Sequence, residues 1–234
     1  MQKEDYISNL KEVKDNIQGA AAAAGRSPDQ IKLLAVSKNQ SLEAVKILDE
    51  LGVNFFGENR VQELEEKNEK LISENINLNW HFIGHLQRNK VKYLMRMENC
   101  KMIESIDSLR LAKEVNKRAR KNERVMPVLV QINIAGDENK FGIVPDKAEE
   151  FLKKIIKLKN IKIEGLMTVL PYLDESEKLR SYFKQMKTIF DQLSEDVVQL
   201  NELSMGMTND YQIAIEEGAT IVRVGRAIFG EREY

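Results

Sequence analysis

The sequence is poor in the residues that build disulfides, metal centres and membrane spans. It contains one cysteine, Cys100, and two histidines among 234 residues. One cysteine excludes an internal disulfide and a thiolate metal cluster. No apolar run approaches the roughly 20 residues that a transmembrane helix needs, and the charged N-terminal stretch lacks the apolar centre of a signal peptide. We therefore predict a soluble, cytoplasmic protein without a bound metal.

An excess of charge of one sign is also lacking. The 36 basic and 37 acidic side chains give a formal net charge of −1. A balanced surface offers no general attraction to nucleic acid or to an anionic membrane, so we expect neither as a partner. With 42% hydrophobic residues and no low-complexity linker, the chain is long enough to bury one sizeable core. The sequence therefore predicts a single domain over residues 1–234.

What the sequence does contain is an alternation of short apolar runs with helical stretches. A helix over roughly Lys3–Ala24 is predicted to come before eight strands, and each strand except the last precedes a helix. The strands are predicted at Ile31–Ser37, Val53–Gly57, Trp80–Gly84, Lys101–Ile106, Val125–Ile134, Ile161–Val169, Glu202–Met205 and Thr220–Val224. Such alternation favours parallel βαβ units, and eight of them in under 250 residues favour a (β/α)8 TIM-type barrel with an extra N-terminal helix. An open doubly wound sheet is the alternative.

Lys38 is the sharpest candidate for chemistry, because it directly follows the first strand. Active sites of TIM barrels are built at the C-terminal ends of the strands. A lysine beside an apolar strand can have a lowered pKa, which favours a nucleophilic amine and formation of an imine. The alternative is a lysine that extends to solvent at the rim or pairs with Glu58.

The segments after the seventh and eighth strands are typical of a phosphate site. Ser204–Thr208 offers small residues and two hydroxyls just before a helix, and Gly225 follows the eighth strand. Backbone N–H groups at such positions bind anions, and TIM barrels often bind phosphate at these two loops. The alternative is an ordinary helix cap at Thr208 or Asn209.

Three further side chains stand near the predicted strand ends. Arg223 can direct a fixed cation into the site or pair with a neighbouring helix. His85 is placed to line the site, whereas His81 lies within the third strand, where a structural role is favoured. The two histidines have no carboxylate motif beside them, which argues against a metal site.

Many segments of the chain resemble the YggS/PROSC family of pyridoxal phosphate homeostasis proteins. The matching segments occur in order along nearly the whole chain. They are Leu34–Lys38, Phe56–Glu63, Trp80–Lys90, Gln131–Asn133, Lys140–Gly142, Gly165–Thr168, Leu203–Asp210, Val222–Gly225 and Ala227–Gly230.

The resemblance implies a barrel similar to the N-terminal domain of alanine racemase, with pyridoxal 5′-phosphate, a form of vitamin B6, held as a covalent aldimine (a Schiff base) on Lys38. It implies that Arg223 faces the pyridine nitrogen and that Asn59, His85 and Met167 line the ring. The residues implied for the phosphate are Ser204, Gly206, Thr208 and Gly225. Arg226 departs from the family, because a small hydroxyl residue is common there.

An arginine at the pyridine nitrogen disfavours protonation of the ring and so weakens carbanion chemistry. The chain also ends at Tyr234, soon after the eighth strand, so we expect no second domain with an opposing base. We therefore predict a monomeric carrier that stores the cofactor, delivers it to apo-enzymes, and affects amino-acid and keto-acid pools indirectly. A weak amino-acid racemase and a Schiff-base aldolase without cofactor are the alternatives.

Overall fold

The computed structural model describes residues 1–171 and 173–230, and its centre is a closed barrel of eight parallel strands. The last four residues of the predicted single domain therefore lie outside the described part. Each strand pairs with the next along the chain, and β8 closes the barrel on β1. The strands are β1 (Lys32–Val36), β2 (Phe55–Glu58), β3 (Asn79–Phe82), β4 (Cys100–Ile106), β5 (Met126–Gln131), β6 (Ile161–Met167), β7 (Glu202–Ser204) and β8 (Ile221–Val224). The predicted TIM-type barrel is confirmed, and the doubly wound alternative is wrong.

Helices surround this barrel and follow the order predicted from the sequence. They are α1 (Lys3–Ala23), α2 (Leu42–Glu50), α3 (Val61–Ser73), α4 (Val91–Leu94), α5 (Leu109–Lys121), α6 (Ala148–Ile155), α7 (Ser176–Asp196), α8 (Tyr211–Glu216) and α9 (Arg226–Phe229). Two differ from expectation. The helix predicted from Gln87 to Met97 is a 3-10 turn at Arg88–Lys90 followed by the single turn of α4, and α9 was not predicted.

The fifth strand is also shorter than the predicted Val125–Ile134. Ile132 makes only an isolated bridge to Ile143, because the chain after β5 folds back to pair with it. The segment between β5 and α6 is therefore a structured loop anchored to the strand end.

The inside of the barrel is packed in layers, because alternate residues of each strand face inward. Lys32 and Glu202 form an ion pair at the N-terminal end. The next layer is an apolar cluster separate from the main core, made of Leu34, Met102, Leu129, Met167 and Ile221. Polar side chains come above this layer, nearer to the C-terminal ends of the strands.

The main hydrophobic core lies between the outside of the barrel and the surrounding helices. The predicted extra helix, α1, is confirmed, and it packs against α8 and α9. Tyr6 meets Phe229 edge to face at 6.4 Å, and Asn9 Nδ2 donates to the carbonyl of Ile228 at 3.1 Å. The first helix therefore secures the end of the chain after β8, which carries part of the candidate site.

No helix among the described residues has the length and apolar character to span a bilayer. Within the same residues, no group of three or more His, Cys, Asp or Glu side chains is arranged to hold a metal ion.

Candidate functional site

Lys38 lies where the first strand turns into the loop at the C-terminal end of the barrel. Leu34 belongs to the interior cluster, and the two-residue period of the strand carries the inward direction to Val36 and on toward Lys38. The chain then turns sharply, since the N–H of Gln40 donates to the carbonyl of Ser37 at 3.0 Å and Asn39 has φ +60°. Lys38 is half-buried at the corner of this turn.

Strand β8 brings the last loop beside that turn. β1 and β8 pair in register, with Leu34 opposite Arg223 and Ala35 opposite Val224. A Cβ on Gly225 would lie 3.4 Å from the carbonyl oxygen of Val36, so the two backbones are in van der Waals contact just beyond the paired region. The segments holding Lys38 and Arg226 therefore leave the barrel side by side.

The loop after β7 is shaped by a glycine and a buried carboxylate. Gly206 has φ +92°, and a Cβ there would lie 2.6 Å from Ala214 Cβ and 2.9 Å from Tyr211 Cα, so only glycine lets the loop approach α8. Asp210 Oδ1 accepts from the Met207 N–H at 2.5 Å. Burial raises the pKa of Asp210 above its usual range, although this hydrogen bond and Arg223 act in the opposite direction.

The two loops of the predicted phosphate site face each other. Gly225 N–H lies 3.4 Å from Thr208 Oγ1, and Arg226 Nη2 lies 3.5 Å from Asn209 Oδ1. Within the described residues, the backbone N–H groups of Thr208, Arg226 and Ala227 make no hydrogen bond. The loops therefore combine unused backbone donors with a hydroxyl and an exposed guanidinium, which suits a phosphate group.

A chain of buried polar groups crosses the interior beneath these loops. His81 Nδ1 lies 2.6 Å from Glu104 Oε1, and Ser204 Oγ donates to Glu104 Oε2 at 2.6 Å. Arg223 Nη1 donates to Ser204 Oγ at 2.6 Å, and its Nη2 donates to the Thr168 carbonyl at 2.6 Å. The five residues link β3, β4, β7, β8 and the residue after β6 by hydrogen bonds.

The charged groups among these buried hydrogen-bonded residues compensate one another. Burial opposes ionisation of Glu104, but the hydrogen bonds and charges of His81, Arg223 and Ser204 outweigh it and hold the pKa of Glu104 below its ordinary value. Burial lowers the pKa of Arg223, against the opposite effect of Glu104 and Asp210. An arginine stays charged under such a shift, so a carboxylate and a guanidinium neutralise each other inside the barrel.

This arrangement restricts what Ser204 can do. Its side chain is fully buried, and its one hydroxyl proton is donated to Glu104. A phosphate oxygen needs a donor, so the phosphate contact predicted for the Ser204 hydroxyl is not available in this arrangement. The alternative in which Arg223 pairs with a neighbouring helix is wrong, because its guanidinium donates to Ser204 and Thr168 inside the barrel.

The predicted ring-lining residues lie at different depths. Asn59 follows β2, and its Oδ1 is buried without a hydrogen-bond partner in the described residues. His85 pairs with Asp107 at 3.1 Å and stacks on Phe141 with ring centroids 3.6 Å apart. Gly84 lets the segment after β3 approach the segment after β2 closely, since a Cβ there would lie 2.1 Å from the Asn59 carbonyl oxygen. Met167 lies deeper, fully buried in the interior apolar cluster.

Comparison with known proteins identifies the family. The model of the alanine racemase N-terminal domain matches residues 8–233. The pyridoxal phosphate homeostasis protein of Aquifex aeolicus is 45% identical over 226 residues, which cover 96% of this chain and 97% of that protein. The chain belongs to the family of pyridoxal phosphate homeostasis proteins. Another member, from Mus musculus, is 39% identical over 236 residues, which cover 96% of this chain and 86% of that protein.

Solved structures agree with this family assignment and with the fold. PipY of Synechococcus elongatus, solved with PLP bound, superposes with a TM-score of 0.80 at 31% identity, over 92% of this chain and 100% of that one. An alanine racemase of Clostridium difficile superposes with a TM-score of 0.76 at 19% identity, over 99% of this chain and 60% of that one. The second likeness shows the fold alone. The family resemblance drawn from the sequence is confirmed.

Several residues of the site were missed in the sequence. Glu104 was passed over, although a glutamate within the apolar strand Cys100–Ile106 is a signal for a buried polar partner. Lys67, on the inner side of α3, is buried beneath the Lys38 turn. Its place in a run of Glu and Lys favours an exposed position, and the only signal of burial is its helical spacing from Leu64 and Leu71.

Proposed function

We propose that this chain binds pyridoxal 5′-phosphate at the C-terminal end of the barrel through a Schiff base on Lys38. The observation that carries the proposal is the register of β1 and β8, which places the Lys38 turn beside a loop pair with unused backbone donors. The phosphate is assigned to the unused backbone N–H groups of Thr208, Arg226 and Ala227, together with the Thr208 hydroxyl. Gly225 lies beside them, and its own N–H donates to that hydroxyl. PipY, a relative of similar length, was solved with PLP bound.

Two further side chains, Asn59 and Arg223, suit the ring of the cofactor. The buried Oδ1 of Asn59 accepts no hydrogen bond from the described residues and can accept one from a ligand. Arg223 is fixed by Ser204 and Thr168 with its positive charge retained, and we assign it to the pyridine nitrogen. A cation there keeps that nitrogen unprotonated. The free cofactor carries a reactive aldehyde, which a Schiff base on Lys38 would convert to an imine, and this site limits its further chemistry.

We infer a role in keeping the intracellular supply of this cofactor. Relatives that match nearly the whole chain are named for pyridoxal phosphate homeostasis. A Schiff base forms reversibly, so a carrier can lower the level of reactive aldehyde and later deliver the cofactor to apo-enzymes, with an indirect effect on amino-acid and keto-acid pools. The racemase alternative is not favoured, because a fixed cation at Arg223 works against carbanion formation.

An absorbance titration tests this proposal. The purified protein mixed with pyridoxal phosphate should develop the visible band of a Schiff base, and borohydride should fix the cofactor to Lys38 in a peptide map. Lys38→Ala should lose the band, whereas Lys70→Ala, on the exposed side of α3, should keep it. A wild-type protein that gives no band, or a band that survives in Lys38→Ala, would overturn the proposal.

A racemisation assay separates the carrier from an enzyme. Alanine and other amino acids incubated at high protein concentration should keep their stereochemistry. Clear turnover that disappears in Lys38→Ala would show instead that the chain is an enzyme.

A further inference from the structure

A second lysine lies directly beneath the turn that carries Lys38. Lys67 is on α3, and its side chain is buried. Its Nζ donates to the carbonyl oxygen of Ser37 at 2.6 Å, to Glu58 Oε1 at 2.7 Å and to Glu63 Oε1 at 2.8 Å. The three hydrogens of the ammonium are thus all used, and two carboxylates contact its charge.

These contacts hold the backbone on both sides of Lys38. The Ser37 carbonyl, on the N-terminal side, accepts directly from Lys67. On the C-terminal side, the Asn39 N–H donates to Glu63 Oε1 at 2.5 Å, and the same oxygen accepts from Lys67. The Ser37 hydroxyl adds a bond to Glu58 Oε1 at 2.7 Å. The peptides before and after Lys38 are therefore tied to one buried cation.

The turn benefits from such support because of its conformation. Asn39 has φ +60°, in the left-handed region, which is unfavourable for residues other than glycine, although less so for asparagine than for most. A strained turn persists only when the surrounding contacts fix it. If those contacts were lost, the turn could relax toward other backbone angles, and the direction of the Lys38 side chain would change with it.

We propose that Lys67 is a positioning residue that fixes the Lys38 turn for bond formation with the cofactor aldehyde. This inference rests on the function proposed above. In that reaction the neutral amine of Lys38 attacks the aldehyde carbon, a C=N bond forms, and the aldehyde oxygen leaves as water. Lys67 does not take part as a nucleophile, because its ammonium is buried and saturated by three acceptors.

The test compares two ligands that differ only at the reacting carbon. Pyridoxal phosphate can bond to Lys38, whereas pyridoxine phosphate has an alcohol in place of the aldehyde and cannot. We expect Lys67→Met to reduce the preference for pyridoxal phosphate over pyridoxine phosphate by about tenfold, the scale of one charge-assisted hydrogen bond. The rate of Schiff-base formation should fall by roughly a hundredfold, as for a displaced reacting group.

Three further variants make the result specific. Lys70→Met removes an exposed lysine from the same helix and should leave both ligands and the rate unchanged. Lys67→Arg keeps a cation and should restore part of the preference. Glu63→Ala releases the Asn39 N–H and one of the three partners of Lys67, but keeps the bond from Lys67 to the Ser37 carbonyl. Its effect should have the same direction and be smaller.

The outcomes distinguish this inference from the function on which it rests. Equal losses for both ligands in Lys67→Met would mean that Lys67 only stabilises the fold, and would overturn the inference. An unchanged preference and rate in a folded Lys67→Met protein would overturn it as well. If Lys67→Met does not fold, Glu63→Ala gives the same comparison. A wild-type protein without a Schiff-base band would refute the proposed function itself.

Discussion

Replacing Glu104 with glutamine should greatly lower the free energy of unfolding, although the side chain keeps nearly the same size and shape. Glutamine keeps the shape and can still form hydrogen bonds, but it removes the negative charge between His81 and Arg223. The buried guanidinium of Arg223, which is joined to Glu104 through Ser204, then loses a carboxylate that favours its charged form. Leaving a buried charge without its compensating partner costs about 3–5 kcal/mol, which for a chain of this size corresponds to a fall in Tm of roughly 10 °C.

Urea unfolding followed by circular dichroism measures this loss. Glu149→Gln is the matched control, since Glu149 forms an exposed pair with Lys153, and we expect its change to stay within about 0.5 kcal/mol.

The pH dependence of the free energy of unfolding is a second measurement of the same effect. The pKa of Glu104 is held below its ordinary value of 4.5, so its stabilisation is complete above that pH and is lost as the pH falls through the lower folded pKa. The difference between wild type and Glu104→Gln should therefore shrink in acid. Equal stabilities at pH 7, or a difference that stays constant in acid, would refute the reasoning.

Three other predictions concern the loops and the thiol. Gly206→Ala should destabilise the fold by about 1–3 kcal/mol in the same unfolding assay, because φ is +92° and the added Cβ would clash with α8; Gly25→Ala, where a Cβ meets nothing within 4 Å, should cost less. Burial raises the pKa of Cys100 to about 12, so a thiol reagent at pH 8 should label it only after unfolding, and rapid labelling of the native protein would contradict its burial. Arg226→Ala should weaken binding of pyridoxal phosphate several-fold, on the scale of an exposed ion pair, and leave unphosphorylated pyridoxal unaffected; equal losses for both in equilibrium dialysis would remove Arg226 from the phosphate site.

The barrel was predictable because its signal is repeated and local. Each strand reads as an apolar run, and the alternation with helices repeats eight times, so errors at single boundaries do not alter the fold. Boundaries that depend on tertiary contacts were the ones missed. The end of β5 is set by the bridge between Ile132 and Ile143, and that pairing partner lies eleven residues further along a polar loop.

The candidate site was predictable only in part, for a related reason. Lys38 and Gly225 stand directly after strands, so the barrel geometry alone brings them together. The environment of Ser204 was not visible, because its partners Glu104 and Arg223 come from other strands and meet it only inside the closed barrel. The burial of Lys67 was not predicted, since a lysine among glutamates on a helix is typical of an exposed surface.

The apolar layer inside the barrel determines from which side a ligand can reach the candidate site. Leu34, Met102, Leu129, Met167 and Ile221 fill the interior below the polar chain, and the Lys32–Glu202 pair closes the far end. If Lys38 binds the cofactor as proposed, the cofactor enters and leaves at the C-terminal ends of the strands. Loading and unloading then use the same side of the barrel, so an acceptor that takes the cofactor directly must dock on that side.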